Sequence, residues 1–147
     1  MRFSCHGCGD CCRGDGHVWV DDEAADLAAH LGIVVTDFRR RYLRKVGGRY
    51  CLIDKPNRDC IFLDRGGCTV YEARPTQCRT FPFWPENLAS ESTWAVVCLQ
   101  CRGSGTGELY ELGRIHEIRS KHEATTSGPT DGCSESHPDS DPGERHR

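Results

Sequence analysis

No stretch of this chain approaches the ~20 consecutive apolar residues that a membrane-spanning helix needs, and only 37% of its 147 residues are hydrophobic. With a mean hydropathy of -0.60, the chain is expected to form one domain with a thin core, held together by something besides apolar burial. Met1-Arg2-Phe3-Ser4 leads into Cys5 without an apolar segment of secretory length, which predicts a cytoplasmic protein whose thiols stay reduced. An excess of positive charge is also lacking. With 19 basic residues against 22 acidic ones there is no polybasic surface, and neither a membrane nor a nucleic acid is expected as a partner. No Ser-His-Asp order, paired acid-base carboxylates or isolated Cys-His nucleophile stands out, so no hydrolytic mechanism is expected. A nucleotide-binding βαβ unit is missing, and so is the C-x3-C-x2-C spacing associated with radical S-adenosylmethionine enzymes.

What the chain does have is cysteine, 11 in all. In a reducing compartment clustered thiols point to metal binding or redox chemistry rather than to structural bridges. The first group is Cys5-His6-Gly7-Cys8-Gly9-Asp10-Cys11-Cys12, where two intervening residues let a tight turn bring successive sulfurs toward one ion. An extended backbone at Cys11-Cys12 would send the adjacent thiols in different directions and divide them between two sites. The run differs from the ferredoxin pattern, because the fourth cysteine follows at once and precedes Arg13 rather than proline.

The second group holds Cys60, Cys68 and Cys78. Gly66-Gly67 predicts a turn before Cys68. Pro75 opens a short helical turn that carries Cys78 near its positive end, with Arg74 and Arg79 beside it to offset thiolate charge or to form surface salt bridges. The block Phe81, Pro82, Phe83, Trp84 and Pro85 either excludes water from a metal site or packs a core. A third pair, Cys98 and Cys101, runs into Gly103, Gly105 and Gly107, which lack the lysine of a phosphate loop and read as a flexible ligand loop. His6 and His17 are read as non-ligands.

Around these groups the pattern predicts a helix after Asp21-Asp22-Glu23 on the stripe Ala24, Leu27, Ala28 and Leu31, ending at Gly32. A second helix is expected from about residue 36 through Val46 to Gly47-Gly48; its arginines are read as a solvated face. Residues 49–53 and 60–63 are expected to pair as a hairpin, and residues 108–123 to form a last helix. The segment 124–147 has no aromatic or large aliphatic residue and is expected to be a disordered acidic tail, with Cys133 a non-ligand within it. Its acidic excess accounts for the whole formal charge of -3. Residues 1–123 are therefore expected to be a cysteine-cluster metal-binding domain of α+β class, small, irregular and metal-stabilised, with short helices and hairpins.

Three blocks together resemble the YkgJ-type cysteine-cluster family, described as a zinc- or iron-chelating domain. They are the run at residues 5–12, the stretch 60–84 with its Cys-x-Val-Tyr-x-x-Arg-Pro-x-x-Cys-Arg-x-Phe-Pro pattern, and Cys101 with its glycines. The resemblance spans about residues 3–107 and implies Cys5, Cys8, Cys11, Cys12, Cys60, Cys68, Cys78 and Cys101 as ligands of zinc, iron or an iron–sulfur cluster. Eight thiols fill two four-coordinate sites, or one cluster plus a redox-active pair. Cys51 and Cys98 are additions to the family pattern, and Arg102 stands where a proline is expected. The implied function is metal binding with a redox or metal-handling role. The alternative is an enzyme, either an iron–sulfur oxidoreductase or a protein like the flagellin lysine N-methylases.

Overall fold

The computed structural model describes residues 1–14 and 16–127. Among them are five helices and three two-stranded antiparallel sheets, an α+β architecture. The chain opens with strand β1 (Arg2–Phe3), passes a 3-10 turn at Asp10–Cys12, and enters helices α1 (Ala24–Leu31) and α2 (Val35–Tyr42). The hairpin β2 (Leu43–Val46) and β3 (Arg49–Leu52) follows, then the short hairpin β4 (Leu63–Asp64) and β5 (Gly67–Cys68). A 3-10 turn at Tyr71–Ala73 leads to α3 (Thr76–Thr80), then α4 (Glu91–Gln100), β6 (Glu108–Leu109) and α5 (Leu112–Thr126).

The helix α1 lies where its apolar stripe put it and ends on Gly32 at φ 69°, whose N–H bonds back to the Ala28 and Ala29 carbonyls. The second helix stops short of the expected Val46. Leu43 leaves the helix because it pairs with Leu52 across the Gly47-Gly48 turn, and both side chains are then buried. Since β3 is taken by β2, the expected pairing of residues 49–53 with 60–63 shrinks to a bridge between Asp54 and Cys60. Glu108 is likewise in a strand rather than a helix, because β6 pairs with β1. The last helix runs past residue 123 to Thr126, and the remainder of the expected tail, Cys133 included, lies outside the described residues.

Two apolar clusters form. One gathers Val20, Leu27, Phe38, Leu43, Leu52, Phe62 and Val70 from α1, α2, the β2–β3 hairpin and the loops beside them. The other centres on Phe3, Phe83 and Ile115, with Trp94 and Tyr110 against Phe83. Each fully buried large side chain contributes roughly 1.5–3 kcal/mol. Arg49 ties the two halves together, donating to Asp21 and to the Thr125 and Thr126 carbonyls at the end of α5.

Candidate metal centre

Strand β1 fixes the entrance of the cysteine run. Ser4 donates to the Gly103 carbonyl at 3.0 Å and Gly105 donates to the Arg2 carbonyl at 2.9 Å, which sets the chain before Cys5 against the chain after Cys101. The glycines following Cys101 serve this approach: a Cβ on Gly103 would stand 2.0 Å from the Ser4 carbonyl oxygen. That replaces the expected flexible loop with a packed one. The next part of the run lies on the β4–β5 hairpin, where Gly67 has φ +108° and a Cβ would meet the Gly7 carbonyl oxygen at 2.1 Å. Cys68, immediately after Gly67, is thereby held beside the run.

Two further bonds draw in the second group. The Cys12 N–H closes a 3-10 turn on the Gly9 carbonyl at 2.9 Å, and the Cys60 N–H donates to the Cys12 carbonyl at 2.8 Å. Helix α3 supplies Cys78, following Pro75 as the sequence pattern predicts. Cys101 ends α4, its N–H bonded to the Val97 carbonyl. The outcome is one cavity of about 50 Å³ lined by Cys5, Cys8, Cys11, Cys12, Cys60, Cys68, Cys78 and Cys101 together. Its other walls come from both cores, Leu52, Phe62 and Val70 from the first and Phe3 from the second, with Phe81 alongside. Among the described residues no three His, Cys, Asp or Glu side chains stand as a closed ligand set for one ion. The arrangement is eight cysteines around a common space.

Cys11 and Cys12 do not diverge. Their backbone is a 3-10 turn rather than extended chain, and the two thiols hydrogen-bond to each other. The Cys12 hydrogen bond brings the Cys11 thiol down to about 7, against the opposing effect of its burial. Cys12 is pushed strongly up, first by the same bond, then by burial and by Cys11, Cys60 and Cys78. Burial raises Cys78, and Cys11, Cys60 and Cys68 raise it further. Burial is also the main cause of the raised Cys60 and Cys68 thiols. At Cys8 the Asp10 backbone lowers the thiol, but burial and the Asp10 carboxylate, 3.3 Å from the sulfur, leave it raised. Thiolates crowded this way repel one another unless a cation sits among them.

The two arginines beside Cys78 part company. Arg74 lines the cavity and directs Nη1 at the Cys5 sulfur, 3.9 Å away. Arg79 turns outward to Glu23 at 3.2 Å, an ordinary salt bridge. The aromatic block divides too: Phe81 walls the cavity, Phe83 packs the second core, and Trp84 stacks on His122. Cys51 is buried in the β2–β3 hairpin and Cys98 lies on α4; neither lines the cavity. His6 sits at the cavity mouth and His17 outside it, with Nδ1 3.1 Å from Arg44.

Sequence reasoning passed over Tyr71. Its hydroxyl is hydrogen-bonded to Cys5, which raises the phenol above its ordinary value, and its ring lies 3.7 Å beneath the Arg74 guanidinium. The signal was the Tyr71-to-Arg74 spacing of three residues, which puts both on one side of a helical turn.

A sequence model of the CxxCxxCC family, described as "Putative zinc- or iron-chelating domain", matches residues 4–102. An uncharacterized protein of Methanocaldococcus jannaschii, MJ0661, is 31% identical over 85 residues, which cover 56% of this chain and 46% of that protein. The chain thus matches about half the length of that relative. No solved structure matches the chain.

Proposed function

The chain belongs to the CxxCxxCC family, and from that premise we propose that it chelates zinc or iron through Cys5, Cys8, Cys11, Cys12, Cys60, Cys68, Cys78 and Cys101. The observation that carries this reading is the cavity that all eight cysteines line. The donor set fits the group, since thiolates are soft ligands suited to zinc and to iron–sulfur centres. Cys12 is raised first by its Cys11 bond and by burial, Cys78 first by burial, and a bound cation would offset the repulsion from neighbouring thiolates that adds to both.

The residues prepare the site in distinct ways. Leu52, Phe62, Val70 and Phe81 exclude water from the sulfurs, Arg74 places a positive charge at the rim, and Gly67 lets the cysteine run lie against Cys68. Zinc would supply a structural centre, and iron with inorganic sulfide a redox-active one. A reducing cytoplasm would keep the thiols available.

Anaerobic purification of the full chain followed by metal and acid-labile sulfide analysis tests the proposal. At least one zinc or iron per chain is expected, lost on Cys78→Ser substitution. A folded wild-type chain free of metal after anaerobic reconstitution with either ion would overturn it.

A further inference from the structure

The eight thiols are not equivalent in their surroundings. Cys11 and Cys12 are neighbours on the 3-10 turn, and the Cys12 carbonyl accepts from the Cys60 N–H at 2.8 Å. Cys5 and Cys11 are the two exposed cysteines of the cavity; Cys11 sits within that group, whereas the Cys5 sulfur is met by Arg74 Nη1 at 3.9 Å, with the Tyr71 ring against that guanidinium. Arg74 cannot swing freely, because its Nε donates to the Tyr71 carbonyl at 2.9 Å and its guanidinium lies on the Tyr71 ring. The three side chains form one braced unit at the edge of the cavity. Immediately outside is an open groove of about 340 Å³ lined by Cys5, His6, Gly66, Cys68 and Tyr71, so Cys5 has the cavity on one side and solvent on the other. A second groove, of about 170 Å³, reaches Cys11, Cys12 and Cys60 from the far side. Its thiols belong to the interlinked inner group.

We propose that Cys5, braced by Tyr71 and Arg74, is the exchangeable ligand of the site, and that this groove is where the bound ion is handed to an incoming thiol acceptor. This rests on the chelating function proposed above and adds metal transfer to it. The step is ligand exchange without oxidation. The acceptor's sulfur forms a bond to the ion as the Cys5-to-ion bond breaks, and the proton released by the acceptor thiol passes to the Cys5 sulfur. Tyr71 and Arg74 act as positioning residues: they hold the departing thiolate by charge-assisted hydrogen bonds until that proton arrives.

The test uses the full chain loaded anaerobically with cobalt(II), whose sulfur-to-metal absorption band reports thiolate ligation. Iodoacetamide labelling of the loaded protein, mapped by mass spectrometry, is expected to modify Cys5 first, at least about tenfold faster than any other cavity cysteine. Transfer of the ion to dimercaptosuccinate is expected to slow about tenfold in Tyr71→Phe and in Arg74→Gln, as the loss of one hydrogen bond to a charged group implies. Arg74→Lys is expected to recover part of the rate, and Arg79→Gln to match wild type. First labelling at Cys11, Cys101 or another cavity thiol overturns the proposal, and so do wild-type transfer rates in both variants. If the variants do not load cobalt, the labelling order in the wild-type chain decides alone. A wild-type chain that takes up no metal overturns the chelating function itself, a different result from uptake with the wrong thiol exposed.

Discussion

Cys78 and Cys51 show how differently two thiols of one small protein are used. Cys78 comes from α3 into the shared cavity and is raised by burial and by Cys11, Cys60 and Cys68, so it gains from a cation. Cys51 is wholly buried in the β2–β3 hairpin away from that cavity, and behaves as a small apolar side chain. Cys51→Ala is therefore expected to cost about 1 kcal/mol in denaturant unfolding while leaving metal content unchanged, the reverse of Cys78→Ser. His122 gives a second residue-scale outcome. Burial lowers its folded pKa below the ordinary value, with partial compensation from Glu86 and Glu123. The folded state then binds fewer protons than the unfolded one, so stability is complete above the unfolded pKa of about 6.5 and falls as pH drops through it. Melting temperature measured from pH 7.5 to 5.5 is expected to fall less in His122→Gln than in wild type.

At the scale of elements, α4 is held at its start by a capping box. The Ser90 hydroxyl accepts from the Thr93 N–H, and the Ser90 N–H donates to the Thr93 hydroxyl. Ser90→Ala is expected to destabilise the fold by about 1 kcal/mol, readable by chemical denaturation. This helix went unread in the sequence because its apolar residues circle it instead of forming a stripe: Val97 is buried while Leu99 is 87% exposed. Where a stripe exists, as in α1, pattern and structure agree. Where two patterns compete, as at residues 43–46, the strand wins because Leu43 buries against its partner Leu52 only as a hairpin. The grouping of the cysteines was more legible than the fold around it. Cysteine spacing and turn glycines are local signals that mark the groups, and the eight cysteines that the family resemblance implied line one cavity. The Cys11–Cys12 contact was hidden because it depends on the 3-10 turn closed by Gly9, and the Tyr71 contact because Cys5 is remote in sequence.

Over the whole molecule the thiol cavity lies between two modest apolar clusters and borrows walls from each. Other ties exist, notably Arg49 to the end of α5 and His122 to Thr80 at 3.3 Å. Metal held among cysteines from the run, the β4–β5 hairpin, α3 and the end of α4 would cross-link both halves, and its binding free energy would become folding free energy. Chelator treatment under reducing conditions is accordingly expected to lower the melting temperature by at least about 10 °C and to speed limited proteolysis. Restoring the ion should reverse both changes. The proposed chelation places sulfur alone around the ion, which X-ray absorption at the metal edge of the anaerobically purified chain reads out. Sulfur neighbours near 2.3 Å are expected for zinc, or sulfur with short iron–iron scattering for a cluster. Nitrogen and oxygen neighbours in their place would overturn thiolate chelation.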